Sequence, residues 1–324
     1  MNILDNPEIL SFLNKKDKFI SIDEIPREAS TRLYYRVKYS RENRILCIDE
    51  KFTSKEYPFL LVQNFLQKNQ FFVPEIIDFD EKHNLILQSD AGEKDLTTLD
   101  QNEYELRLKE SLDLILKLQE IKPIEIINSR SFDYNKLNFE VNHTYNGYEK
   151  FIIDKNSKLL IPNEVKYFFE DCITKLANYS HKVICHRDYH ARNILLGNSN
   201  QLFWIDFQDM MMGTPQYDLV SILYDAYKPI TLQTREKYYN YFKENSSHKI
   251  NKFREIYLLQ ALQRSFKALG TYYVMFVEKG FVKYKSSISP CLNNILEIIE
   301  LGKFPDYMYL FFNELKTEWE LSKD

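Results

Sequence analysis

The residues best suited to chemistry lie in one run, Val183-Ile-Cys-His-Arg-Asp-Tyr-His-Ala-Arg-Asn-Ile-Leu-Leu196, followed by Leu202-Phe-Trp-Ile-Asp-Phe-Gln-Asp209. Asp188 and Asn193 share a loop that leads into an apolar strand, and Asp206 ends the next strand. Phosphoryl transfer asks for little covalent help. It needs an acceptor hydroxyl held in line and metal ions neutralising the phosphate oxygens. That calls for one carboxylate beside the acceptor and two oxygen ligands for Mg²⁺, which favours hard oxygen donors and keeps several waters. On this reading Asp188 orients the acceptor hydroxyl and accepts its proton, while Asn193 and Asp206 bind the metal. A lone His-Arg-Asp is a weak signal. The added Asn193 and the strand ending in Asp206 make it specific.

Two histidines share the loop. His186 is expected to pack behind it, and the same structural reading applies to His190. A metal site built from His186, Asp188 and His190 is set aside, because Mg²⁺ does not favour imidazole and no third nitrogen ligand is evident.

These residues need a scaffold. Leu33–Tyr39 and Ile45–Ile48 read as strands, as do Val73–Phe79 and Asn84–Gln88. Tyr57–Lys68 reads as a helix between them. After Gly92 the pattern turns helical, at Glu103–Ile121, Asn163–Ser180, Tyr217–Tyr227, Phe253–Val277 and Ser289–Leu301. Ile194–Leu196 and Leu202–Ile205 form a hairpin across the turn at 197–200. The expectation is an α+β, two-lobed, protein-kinase-like fold: a β-rich nucleotide lobe at 1–92 and a mainly helical catalytic and substrate lobe at 93–324. The crossover Leu87-Gln-Ser-Asp-Ala-Gly92 is the expected hinge, with Gln88 and Asp90 beside the backbone groups that meet adenine.

His186-Arg-Asp-Tyr-His-Ala-Arg-Asn193 resembles the catalytic loop of the aminoglycoside phosphotransferase and choline kinase-like family, most closely that of its bacterial anomeric kinases of N-acetylmuramate and N-acetylglucosamine. Asp206-Phe-Gln-Asp209, Gly213 and Tyr217-Asp-Leu-Val-Ser221 continue the resemblance. Ala29-Ser-Thr-Arg-Leu-Tyr-Tyr-Arg-Val37 is similar to the family's nucleotide loop. Leu262-Gln-Arg-Ser-Phe-Lys-Ala-Leu-Gly270 is similar to a helix of its C-terminal lobe. The resemblance implies ATP and Mg²⁺ as cofactors and a sugar C1 hydroxyl as acceptor. Choline, ethanolamine or an aminoglycoside is the alternative acceptor, and a nucleotide-binding pseudokinase is the third reading. A protein kinase fits poorly, because Asp206 is followed by Phe-Gln and no Ala-Pro-Glu element follows.

The chain also departs from kinases at large. Many cover the phosphates with a glycine-rich loop; here no glycine precedes Gly92. Ser30, Thr31 and Arg32 are the expected substitutes. Asp49 stands where a lysine of the third strand would be sought, with Lys51, Lys55 and Glu56 near but out of register. On the acceptor side, Gln208 and Asp209 are candidates to bind sugar hydroxyls. Arg192 and Arg264 are candidates to pair with a lactyl carboxylate. Asp218 is expected to accept backbone N–H groups of the catalytic loop. Gln263 and Arg264 occupy an amphipathic helix whose polar face looks either to the cleft or to solvent.

Composition bounds the rest. The chain has 324 residues, 44% hydrophobic and 28% charged, with a net charge of −4. That is globular, and no basic stripe marks a nucleic-acid partner. The four cysteines are scattered, which argues against zinc and disulfides and for a reducing compartment. No signal peptide or membrane span is evident, so a cytoplasmic monomer acting on a small molecule is expected. From Asp225 onward basic residues slightly outnumber acidic ones. That disfavours polycationic aminoglycosides.

Overall fold

The structure is a computed structural model that describes residues 3–26, 32–53, 56–154, 157–247 and 251–321. The chain forms two compact units, Met1–Asp95 with Ile194–Asp209, and Leu96–Asn193 with Met210–Asp324.

The first unit is an antiparallel sheet. Its strands are β1 (Ser21–Ile25), β2 (Leu33–Lys38), β3 (Asn43–Ile48), β4 (Ile76–Asp80) and β5 (Leu85–Ser89), in the order β1-β2-β3-β5-β4. The period-two alternation of β2 and β3 divides the sheet into two faces. Tyr35, Val37, Leu46, Leu85 and Leu87 join Ile9, Phe12 and Leu13 of helix α1 (Pro7–Leu13) in one apolar core. Arg32, Tyr34, Arg36, Cys47 and Asp49 have the opposite parity, and Tyr34 lies across from Cys47. Helix α2 (Pro58–Lys68) starts on a proline, which fits the first turn because no N–H is needed there. The expected strand at Val73–Phe79 begins at Ile76 and is bulged between Ile76 and Asp78. The edge strand β1 has no counterpart among the expected elements.

The hairpin of the catalytic run belongs to this unit. Its strands β7 (Ile194–Leu196) and β8 (Leu202–Trp204) pair Ile194 with Trp204. Leu196 donates its N–H to Lys94 O at 2.8 Å, and Trp204 to Phe72 O at 2.9 Å. The Trp204 ring sits 4.7 Å from that of Phe71.

The second unit holds α3 (Gln101–Gln119), α4 (Glu125–Asn128), α5 (Tyr134–Asp154), α6 (Asn163–Ala177), α7 (Tyr217–Leu223), α8 (Leu232–Asn245), α9 (Phe253–Tyr273), α10 (Lys285–Gly302) and α11 (Asp306–Leu321). A short pair of strands, β6 (Val183–Cys185) and β9 (Met211–Gly213), joins them. Helix α9 is the axis of the unit, packed by α5, α6, α7 and α10. It is buried on nearly every side, so Gln263 lies in the interior, while its neighbour Arg264 is half-buried and turns toward Asp188. A Cβ at Gly270 would lie 2.5 Å from Thr144 Cα, so only glycine lets α5 approach this closely. The helix expected to reach Val277 ends at Tyr273 and continues as a π turn over Val274–Glu278. No helix among the described residues is long and apolar enough to cross a membrane.

Candidate active site

The catalytic loop is fixed from both ends by buried carboxylates. Strand β6 delivers His186, and Asp218 in the first turn of α7 accepts the N–H of His186 at 2.6 Å and of Arg187 at 3.0 Å. Arg187 has φ +82°, a left-handed conformation that costs a non-glycine residue energy. The paired N–H bonds hold it there. Farther along, Asp225 accepts the N–H of Ala191 at 2.8 Å and of Tyr227 at 2.7 Å. Tyr189 is buried and donates its hydroxyl to Ser111 O at 3.0 Å, and the ring of His186 packs edge-on against it.

Between these anchors stands Asp188. Lys267 Nζ lies 3.3 Å from its Oδ1, Arg264 Nη2 lies 3.6 Å from the same oxygen, and Arg187 Nε lies 3.9 Å from Oδ2. Burial by itself would raise the Asp188 pKa, but Lys267, Arg264 and Arg187 outweigh it and hold the carboxyl well below the usual range. Asp188 is therefore ionised at every pH of interest. Burial also lowers the pKa of Lys267, against the pull of Asp188 and Glu140. His190, pushed down to about 3 chiefly by burial, stays neutral near pH 7.

Behind Lys267 runs a buried polar chain. Thr214 donates its hydroxyl to Gln260 at 2.9 Å, Gln260 donates to Gln263 at 2.9 Å, and Gln263 donates to Glu140 Oε2 at 3.1 Å. Glu140 Oε1 faces Lys267 Nζ at 3.7 Å. The close approach of α5 to α9 at Gly270 brings Glu140 within reach of this chain.

In the first unit, Asp206 has φ +59° and follows β8. Its neighbour Phe207 is fully buried and stacks on Phe59 with centroids 5.1 Å apart, which fixes the backbone at the end of the hairpin. Gln208 Nε2 donates to Asp206 Oδ1 at 2.7 Å. Arg32 Nε donates to Asp49 Oδ2 at 2.8 Å, and Asp49 also accepts from the Tyr57 hydroxyl and from Lys51 N–H at 3.0 Å. Arg36 Nε donates to Asp90 Oδ2 at 2.6 Å, and Asp90 Oδ1 accepts the N–H of Gly92 at 2.9 Å. Gly92 has φ +101°, which glycine alone adopts readily. Gln88 is buried, and its Oε1 has no hydrogen-bond partner among the described residues.

The second unit thus gathers His186, Asp188, Asn193, Asp218 and Arg264. Arg192 turns elsewhere, its guanidinium 3.8 Å over the Tyr227 ring. In the first unit Arg32 meets Asp49, and the Asp90 side chain is engaged by Arg36. Asp209 is exposed. Ser30, Thr31 and Lys55 lie outside the described residues. Sequence reasoning missed Glu140, Asp225 and Lys267. Lys267 sat inside the helix motif already recognised, one turn after Arg264.

The proposed metal ligands fit Mg²⁺ by the chemistry of their donors. Asn193 Nδ2 donates to Asp188 O at 2.9 Å, which commits the amide nitrogen and leaves Oδ1 as a hard oxygen donor. Asp206 offers a carboxylate.

Comparison with known proteins places the chain in a family. The phosphotransferase enzyme family (APH) matches residues 21–248. The chain belongs to that family, and it is an ATP-dependent small-molecule kinase with a protein-kinase-like fold. It is 22% identical over 310 residues to the N-acetylmuramate/N-acetylglucosamine kinase of Neisseria meningitidis serogroup B, covering 91% of this chain and 90% of that one. Among solved structures it is similar to a spectinomycin phosphotransferase in complex with ADP and spectinomycin, with TM-score 0.62 and 15% identity over 92% of this chain and 96% of the other. It is also similar to choline kinase from Streptococcus pneumoniae, with TM-score 0.59 and 13% identity over 90% and 95% of the two chains.

Proposed function

We propose that this protein transfers the γ-phosphate of ATP to the anomeric hydroxyl of an N-acetylated amino sugar, N-acetylmuramate or N-acetylglucosamine. The observation that carries this reading is the charge around Asp188. Arg187, Arg264 and Lys267 all lie within 4 Å of its carboxylate, at 3.9, 3.6 and 3.3 Å. A polycationic aminoglycoside or a quaternary ammonium would meet like charge there, whereas a neutral or carboxylate-bearing sugar would not. The face of Tyr227 that could take a quaternary ammonium already carries the Arg192 guanidinium at 3.8 Å. The Neisseria kinase supports the same class of acceptor.

Asp188 orients the acceptor hydroxyl and takes up its proton as the new O–P bond forms and the bond from the γ-phosphorus to the bridging oxygen breaks, releasing ADP. With so low a pKa, Asp188 acts more by orientation and charge than as a strong base, as a loose transition state permits. Asn193 and Asp206 hold Mg²⁺, which neutralises charge on the phosphate oxygens. Arg32, Ser30 and Thr31 serve the phosphates. Gln88 offers its unpaired Oε1 to the adenine amino group beside the hinge. Cytoplasmic location and a monomeric state complete the reading.

The test is a screen of the purified protein with ATP and Mg²⁺ against N-acetylated hexosamines, choline, ethanolamine and aminoglycosides. An acid-labile sugar phosphate is the expected product. Turnover of the amino-alcohols or aminoglycosides alone would exclude the sugar reading.

A further inference from the structure

Lys267 lies beside Asp188 and also faces a second buried carboxylate, Glu140. Its side chain is 13% exposed, with Nζ 3.3 Å from Asp188 Oδ1 and 3.7 Å from Glu140 Oε1. Glu140 is 4% exposed and cannot donate a proton when ionised. Gln263, itself ordered by Gln260 and Thr214, donates to its Oε2 at 3.1 Å, while Lys267 at 3.7 Å and Lys136 at 4.0 Å stand as ion-pair partners of Oε1. A lysine buried alone would shed its charge or turn to solvent. Here Asp188 and Glu140 pull against the lowering that burial imposes and give its ammonium a place between them. The polar chain begins at Thr214, directly after β9, and β9 pairs with the β6 strand that feeds the catalytic loop. Both ends of the chain are thus tied to the same loop.

We propose that Lys267 is the positioning residue of Asp188: set against Glu140, its ammonium fixes Oδ1, so that Oδ2, with Arg187 Nε 3.9 Å away, takes the acceptor hydroxyl. Arg264 shares Oδ1 but is itself engaged by Ser221 Oγ at 3.2 Å, so it adds charge to the same oxygen without replacing Lys267. Lys267 acts through Asp188 and touches no reacting atom. The inference rests on Asp188 being the acceptor-side carboxylate. It does not depend on which hydroxyl compound is the acceptor.

The experiment compares wild type with Lys267→Met, Lys267→Arg, Glu140→Gln and Lys267→Met/Glu140→Gln. Phosphoryl transfer is measured to whichever acceptor the screen finds and to water, each rate normalised to folded protein by circular dichroism. A misplaced catalytic group costs about a hundredfold. Lys267→Met should lower kcat by about that factor with the KM for ATP unchanged, and Lys267→Arg should recover most of it. The double variant should be no slower than Lys267→Met, because Glu140 works only through the lysine. Folded Lys267→Met with wild-type kcat overturns the proposal, as do equal losses in the Met and Arg variants. Multiplying losses in the double variant overturn it as well. An Asp188→Asn control separates the two levels. If that variant keeps full turnover, the functional reading fails; if it is inactive while Lys267→Met is unimpaired, only the positioning role fails.

Discussion

Arg32 and Asp49 form an ion pair at 2.8 Å on the face of the sheet opposite α1, each side chain largely buried at 17% and 7% exposure. A carboxylate therefore occupies the place where a kinase lysine would be sought, and it captures the arginine that immediately precedes the neighbouring strand β2. The guanidinium is planar and always charged, with more donors than one carboxylate can use. The ring centroids of Tyr57 and Phe59 lie 5.8 and 5.9 Å from it, so its orientation is set by packing as well as charge.

This pair predicts a coupled loss. Asp49→Asn leaves Arg32 without its counter-charge and should cost about 1–3 kcal/mol of stability, read from urea denaturation. The same variant should raise the KM for ATP while leaving the KM for the acceptor in place. An unchanged KM for ATP would detach Arg32 from the phosphates.

Much of the candidate site was legible because its parts are contiguous. Asp188, Asn193 and Asp206 lie within one loop and one hairpin, and the turn between the strands announces itself by Gly197 and its polar neighbours. Helices α3, α6, α9 and α10 were readable from apolar periodicity, within a few residues at their ends. What escaped depends on distant partners. Lys267 and Glu140 look like solvated charges in sequence, and only the packing of α5 on α9 shows them facing inward. Gln263 misled for the same reason, since the half-buried stripe of α9 runs through Arg264, Lys267 and Thr271 and leaves Gln263 in the interior. Strand β1 carries Asp23 and Glu24 on a half-exposed edge, and α5 is diluted by Asn, His and Gly residues, so neither has a clear period.

Gly270 supplies the second prediction. Replacing it with alanine puts a Cβ 2.5 Å from Thr144 Cα, a backbone atom that cannot swing aside. Overpacking of this kind costs about 1–3 kcal/mol. Because Glu140 lies one turn before Thr144 on α5, kcat should fall as well, even at temperatures where the variant is folded. Thermal unfolding and kinetics on the same preparation check both effects. A Gly270→Ala protein with native stability would remove the close approach from the account.

Asp218 and Asp225 carry a pH dependence. Burial pushes their carboxyls up to about 7 and about 6, against the backbone N–H donors that favour ionisation. Both values exceed the unfolded range of about 4. Below that range their contribution to stability is complete. Between the unfolded and folded values the folded chain alone retains the protons, so stability falls as pH rises through 6 and 7. Urea midpoints at pH 5 and pH 8 should differ more for wild type than for Asp218→Asn, which has no proton to exchange. Equal differences would contradict the assignment. Asp218→Ala should also slow kcat by about tenfold to a hundredfold, because His186 and Arg187 lose the carboxylate that accepts their N–H groups.

The most direct measurement is transfer of labelled γ-phosphate from ATP to N-acetylglucosamine or N-acetylmuramate by wild type and by folded Asp188→Asn, with Mg²⁺ and with EDTA. The account predicts a labelled sugar phosphate from wild type with Mg²⁺, with the rate falling by orders of magnitude in the variant and vanishing in EDTA. Undiminished transfer by Asp188→Asn would contradict it.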